Sequence, residues 1–280
     1  MKAILLNLSA WTMLPIMDGF AKYLSYSLPI LQIVWARYFF TVFIVLPVMF
    51  FFFKKNLRLS ESPKLQIIRG LLLFSANILF FYSISIISLS KALTLAFVAP
   101  LIVTAFSPFF LKEKVGFYRW LAVIIGFVGC IIVIRPGYLE FNIATVAALG
   151  TGLMYGFYLI VTRKLSSKDN PLLTLLFTGA VGAIIGSFMI PYFWVKPSSN
   201  EWFFMFLIGF FATIGHLLLI LSLKFANASK LAPYGYFEIV PNIIIGYYFF
   251  NNLPDTFHLV GLFVIILSGL YVFRRDLKNP

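Results

Sequence analysis

GLLLFSANILFFYSISIISLS, residues 70–90, runs 21 positions without an Asp, Glu, Lys or Arg. As a helix rising 1.5 Å per residue it covers roughly 30 Å, the thickness of a bilayer's hydrocarbon layer. Residues 92–111, 141–162, 170–195 and 202–223 are free of those four residue types in the same way. Residues 120–134 and 256–273 are shorter, with arginines at their ends whose charged heads can snorkel to the interface. Three further segments each carry one internal ionisable group: about 3–22 with Asp18, 28–53 with Arg37, and 231–250 with Glu238. The expectation is an all-α integral membrane protein of ten transmembrane helices.

Composition supports lipid as the solvent. The chain is 61% hydrophobic and 11% charged, with a mean hydropathy of +0.98, which leaves too little polar surface to cover a soluble core. The opening Met1-Lys2-Ala3-Ile4-Leu5-Leu6 is like a secretory leader, but no small-residue cleavage site follows and the apolar run continues past Trp11. It is expected to be helix 1.

A net charge of +13 over 280 residues raises the question of a nucleic-acid partner. Placing the basic residues answers it. With the N-terminus cytoplasmic, 17 fall on that side: Lys2, five in 54–69, three in 112–119, three in 163–168, Lys224, Lys230, and three in 274–278. Four fall opposite (Lys22, Lys91, Arg135 and Lys196), with Arg37 inside a helix. By the positive-inside rule both termini are cytoplasmic, and the charge reports topology rather than nucleic acid. The single Cys130 excludes an internal disulfide and a cysteine-based metal site.

The loops are short, and only 54–63 has a linker's composition. A shift of 139 residues superposes Gly70 on Gly209, Ser83 on Ser222, Ser90-Lys91 on Ser229-Lys230, and Asn77 on His216. Seven identities over 67 positions are near chance, so matched charge boundaries and mid-helix polar positions carry the repeat. Five is an odd number of helices, so a second copy must run through the membrane in the opposite sense. The expected units are 1–138 and 139–280, two inverted five-helix repeats with a site near the midplane between them.

Several stretches resemble the drug/metabolite transporter superfamily, in particular its EamA-type members. Ala96-Phe97-Val98-Ala99-Pro100-Leu101 followed by Phe110-Leu111-Lys112-Glu113-Lys114-Val115-Gly116 is similar to the end of that family's helix 4, with Lys112 in place of the usual Gly. Arg119 through Gly129 to Arg135-Pro136-Gly137 is similar to its helix 5 and exit. Ala232-Pro233-Tyr234-Gly235-Tyr236-Phe237-Glu238-Ile239-Val240 and Gly246-Tyr247-Tyr248-Phe249-Phe250 resemble helix 9 of a subgroup that includes S-adenosylmethionine transporters of intracellular bacteria. Asn251-Asn252 stand where a Gly and an acid are usual. The resemblance implies a transporter of the inner membrane, working by alternating access without a cofactor. Relatives export amino acids, import S-adenosylmethionine or riboflavin, and carry other metabolites.

Among individual residues, Glu238 is the sharpest substrate-binding candidate. A carboxylate this far inside a helix costs about 2.5 to 3.5 kcal/mol unless it faces protein or water. Tyr234 and Tyr236 beside it can hold a cation over aromatic faces, although an ion pair with Lys230 is an equally structural use of the charge. Asp18 and Arg37 lie at similar depths on antiparallel helices and form a candidate pair, for coupling or for locking the hairpin. Asn77 and His216 correspond in the two halves and can offer hydrogen bonds to a solute or to a neighbouring helix. Phe97, one turn from Pro100, and Tyr155 and Tyr158 are candidate cavity residues. The small pairs Gly152/Gly156 and Gly182/Gly186 allow helices to approach closely, within one protomer or in a homodimer.

With no metalloprotease, P-loop or prenyl-diphosphate motif, no enzyme is expected. The reading is a secondary transporter of a small polar, amine-bearing or cationic metabolite, with a proton or counter-substrate as partner. A channel and a lipid-modifying membrane enzyme are the alternatives.

Overall fold

The structure is a computed structural model describing residues 1–52, 60–134, 142–166, 168–252 and 254–278. Most of the linker 54–63, Arg135, Glu140 and the expected boundary at 138/139 lie outside the described residues.

The described chain is helical, without strands. In order come α1 (Lys2–Leu24), α2 (Ile30–Phe52), α3 (Pro63–Ile86), α4 (Leu89–Ala96), α5 (Val98–Leu111), α6 (Phe117–Ile134), α7 (Ile143–Ser166), α8 (Pro171–Met189), α9 (Ser199–Phe225), α10 (Ala228–Leu231), α11 (Ile239–Phe250) and α12 (Thr256–Lys278), with 3-10 turns at Ile190–Tyr192 and Ala232–Glu238. Seven helices are long and apolar enough to cross a membrane, counting Leu89–Leu111 as one, and Trp120–Gly129 and Thr256–Ser268 are shorter apolar stretches. Outward faces carry Phe43, Phe51, Phe188, Phe249 and Phe263, all exposed. Apolar surface on that scale fits acyl chains, and the protein is a multi-pass membrane protein.

Local chemistry fixes the helix ends. Ser198 and Glu201 form a capping box at α9, with Glu201 Oε2 accepting from Ser198 N at 2.7 Å. Asn170 accepts from Leu172 N at 2.9 Å ahead of Pro171, which opens α8 with an already helical φ. α5 and α11 both terminate on a left-handed residue, Lys112 (φ 56°) and Asn251 (φ 51°). Lysine is a poor occupant of that conformation. Lys112→Gly is therefore expected to raise thermal stability, by about 1 kcal/mol, measured by unfolding in detergent; a lower melting point would overturn this account of the turn.

α1 packs along α9, α3 along α7, α2 along α8 and α6 along α12; α5 leans on α7, and the 232–238 turn on α1. The small pairs serve these contacts within the chain. Gly152 meets the Ala96 carbonyl and Gly156 meets Ile102, while Gly182 takes the Tyr38 ring and Gly186 takes Trp35.

Two basic residues counted at the membrane surfaces are inside the protein. Lys22 is buried and donates to Ile84 O at 2.6 Å and Ile87 O at 3.1 Å, capping the end of α3. Arg69 is fully buried in α3. A charge at the edge of an apolar run was read as a boundary, whereas here enough acceptors converge on it to hold it indoors.

Candidate functional site

The segments expected as continuous helices 4 and 9 are both broken. Pro100 cannot donate to Ala96, and α4 ends there, with Phe97 separating it from α5. In the other break, α10 passes into seven residues of 3-10 helix, Ala232–Glu238, an unusually long run for that geometry. Glu238 is thus the last residue of a 3-10 stretch rather than a mid-α-helix residue. The two breaks touch: Phe97 meets Tyr236 edge to face, with ring centroids 5.3 Å apart.

Between the breaks lies a cavity enclosing about 900 Å³ of space between atoms, its open mouth included. Its walls come from α1, α3 and the α4–α5 break on one side of the sequence, and from α7, α9 and the stretch from α10 to Glu238 on the other. Asp18, Asn77, Phe97, His216 and Glu238 line it, joined by Trp11, Phe80 and Tyr155. Arg37, Tyr158, Tyr234 and Tyr236 do not. Tyr236 is buried behind Phe97 and Tyr234 is half-buried in the core.

The expected Asp18–Arg37 pair gives way to another arrangement. Arg37 is buried and bonds His216 Nε2 at 2.7 Å, and its Nε donates to Met17 Sδ at 3.4 Å. Guanidinium can only donate, so Nε2 accepts and the His216 proton sits on Nδ1. Nδ1 is 3.0 Å from the Tyr158 hydroxyl and donates to it. Both imidazole nitrogens are occupied, so His216 shows the cavity its ring and cannot give a solute the hydrogen bond expected of it. Tyr158 is a strut in this network, also accepting from Arg69 Nη2 at 2.7 Å.

Arg69 completes the network through Thr162 Oγ1 at 2.7 Å, Thr174 O at 3.1 Å and Thr178 Oγ1. Asn77 spends its amide protons on Tyr38 Oη at 3.1 Å and Leu73 O at 2.6 Å, leaving its oxygen available. Asn7 and Trp11 are likewise satisfied, Trp11 Nε1 donating to Asn7 Oδ1 at 2.7 Å and Asn7 Nδ2 to Ser222 at 3.1 Å.

Among the described residues, what remains buried and unpaired around the cavity is one carboxylate oxygen and one hydroxyl. Asp18 Oδ1 has no hydrogen-bond partner, and neither does the Tyr155 hydroxyl. Neither Asp18 nor Glu238 is in an ion pair among the described residues. No group of three or more His, Cys, Asp or Glu that could hold a metal occurs among the described residues. Such a surface suits a solute rich in N–H donors or bearing positive charge.

Sequence reasoning missed Arg69 and offered both Tyr155 and Tyr158 for the cavity, of which Tyr155 alone lines it. A usable signal was Thr174 and Thr178, one helical turn apart and able to face a buried cation together. Asn242, fully buried one turn beyond Glu238 with neither amide atom partnered, was also missed.

Known proteins agree with this architecture. A solved crystal structure 14% identical to the chain superposes with a TM-score of 0.74 over 96% of each. The S-adenosylmethionine uptake transporter of Rickettsia conorii is 28% identical, covering 93% of this chain and 88% of its own. The riboflavin transporter of Vibrio cholerae is 23% identical over 97% and 93%, and the pseudopaline exporter of Pseudomonas aeruginosa 23% over 97% and 95%. These relatives are transporters rather than enzymes. The model of the EamA-like transporter family matches residues 1–135 and again 142–274. Matched twice along nearly its whole length, the chain belongs to the EamA-like transporter family of the drug/metabolite transporter superfamily.

Proposed function

We propose that the protein is a secondary transporter of the bacterial inner membrane that carries a small amine-bearing or cationic metabolite, of the S-adenosylmethionine type. One observation carries this: Asp18 and Glu238 face a single cavity with no basic side chain paired to either. Two carboxylates without counter-charge in a low-dielectric interior are costly unless a cation or proton joins them. The Trp11 and Tyr155 faces, 6.2 Å apart between centroids, add a cation-binding surface. The Rickettsia relatives named for S-adenosylmethionine uptake, a sulfonium and ammonium compound, point the same way.

Ten membrane-crossing segments in two inverted units, 1–138 and 139–280, are the supporting architecture. Exchanging α1 with α7, α3 with α9, and the α4–α5 break with the α10–α11 break maps each major packing onto another. Helix-end caps obey the same exchange: Arg163 Nη1 donates to Leu223 O at 2.6 Å, as Lys22 does to Ile84 O. Without Arg69 and Lys22 the basic count is still 16 against three, favouring cytoplasmic termini. Rocking of the two units about the cavity gives alternating access, with a proton or counter-substrate balancing the charge moved.

Radiolabelled S-adenosylmethionine is expected to accumulate saturably in proteoliposomes. A solute present at 100 times its Kd should also stabilise the purified protein by about 2.7 kcal/mol. If S-adenosylmethionine, amino acids and quaternary amines all fail in both assays, the cationic reading is wrong.

A further inference from the structure

Two guanidinium groups stand behind one wall of the cavity with no carboxylate bonded to either, although Asp18 lies within electrostatic reach of Arg37. Arg37 is bonded to His216 and to a thioether, and Arg69 to Tyr158, two threonine hydroxyls and a carbonyl. Every one of these partners is neutral. Neither arginine is in an ion pair among the described residues. Arg37 reaches the cavity through one ring, His216, and Arg69 through Tyr158, on which Tyr155 stacks with centroids 5.3 Å apart. Asp18 and Glu238 line the same cavity, so groups of both charges surround it.

Tyr155 stands among them. Its ring is 6.5 Å from His216 and 6.2 Å from Trp11, and its hydroxyl is buried with no partner. A buried hydroxyl without a bond is unfavourable, and removing it where nothing is bound costs nothing. Its environment also includes Glu238, Asp18 and Arg37 within electrostatic reach. The hydroxyl can donate, and near two guanidinium charges the acceptor it favours is anionic.

We infer that Tyr155 is a specificity-determining residue that donates to an anionic group of the solute, so that the transported molecule is zwitterionic: its cation on Asp18 and Glu238, its carboxylate on Tyr155 in the field of Arg37 and Arg69. This rests on the cationic reading above and narrows it. A simple amine satisfies only the carboxylates. A zwitterion satisfies groups of both charges, and it crosses the membrane with less net charge to balance.

The test uses two matched pairs of solutes, S-adenosylmethionine with its decarboxylated form and lysine with cadaverine, on the wild type and on Tyr155→Phe. In at least one pair the wild type should bind the acid-bearing member about tenfold to a hundredfold more tightly. Tyr155→Phe keeps the ring face that the cation uses and should erase most of that preference, the acid-bearing member losing far more affinity than the decarboxylated one. A merely structural Tyr155 would weaken both members equally, which would overturn the assignment. So would wild-type protein that binds both members alike, and that result leaves the cationic reading standing. If no cationic solute binds at all, both readings fall together.

Discussion

Glu238→Gln is expected to abolish solute uptake while the protein still folds and elutes as a single species from detergent. Amide replaces carboxylate at nearly the same volume, so packing at the start of α11 is preserved. The native carboxylate is in no ion pair among the described residues, so no buried partner is stranded by the change. Losing one side of a desolvated charge contact costs about 2 to 5 kcal/mol, which is at least roughly 30-fold in affinity. Stability of the empty protein should hold steady or rise, because a lone carboxylate in a membrane interior is itself unfavourable. Glu238→Asp, which keeps the charge on a shorter stem, should retain part of the activity. Uptake by Glu238→Gln at the wild-type rate would remove Glu238 from the site.

Replacing Arg69 gives the opposite signature, a loss of the protein rather than of its chemistry. Arg69→Met fills similar volume but deletes donors to Thr162, Thr174, Thr178 and Tyr158 in one step. Several buried acceptors lose a charged donor, each hydrogen bond of that kind contributing about 1.5 to 3 kcal/mol. Cooperative loss of about 3 to 5 kcal/mol is expected, read as a large fall in melting temperature and in monodisperse yield. Arg69→Lys should recover little, because a single ammonium cannot span acceptors that the planar fork reaches together. If Arg69→Met melts within a few degrees of wild type, the network is not what holds α3 to α7 and α8.

Much of this architecture is written in the chain as lengths. Twenty-residue uncharged runs give spans, and the mid-run exceptions Asp18, Arg37 and Glu238 are all buried polar groups in the structure. Where sequence reading failed, the missing information was angular. Asp18 and Arg37 match in depth, but pairing depends on which way each side chain leaves its helix, and His216 on α9 takes the arginine first. Tyr155 and Tyr158 are one turn apart on α7, and a slight rotation decides which borders the cavity and which supports it. His216 illustrates a further limit: its placement was legible, but the consumption of both its nitrogens depends on contacts from α2 and α7.

Every acceptor that Arg69 uses lies in α7 or α8, and the ring that Arg37 grips lies in α9. During synthesis Arg69 emerges on α3 long before its acceptors do, and Arg37 on α2 long before its imidazole. Until α7 and α8 arrive, Arg69 is a bare cation that acyl chains cannot solvate, while Arg37 has Met17 and the Tyr38 ring beside it. The insertion machinery, or water held within it, must shelter α2 and α3 through translation of more than half the protein. A ribosome that stops after α6 leaves a fragment whose Arg69 has none of its acceptors, marked for quality control by that unmet charge.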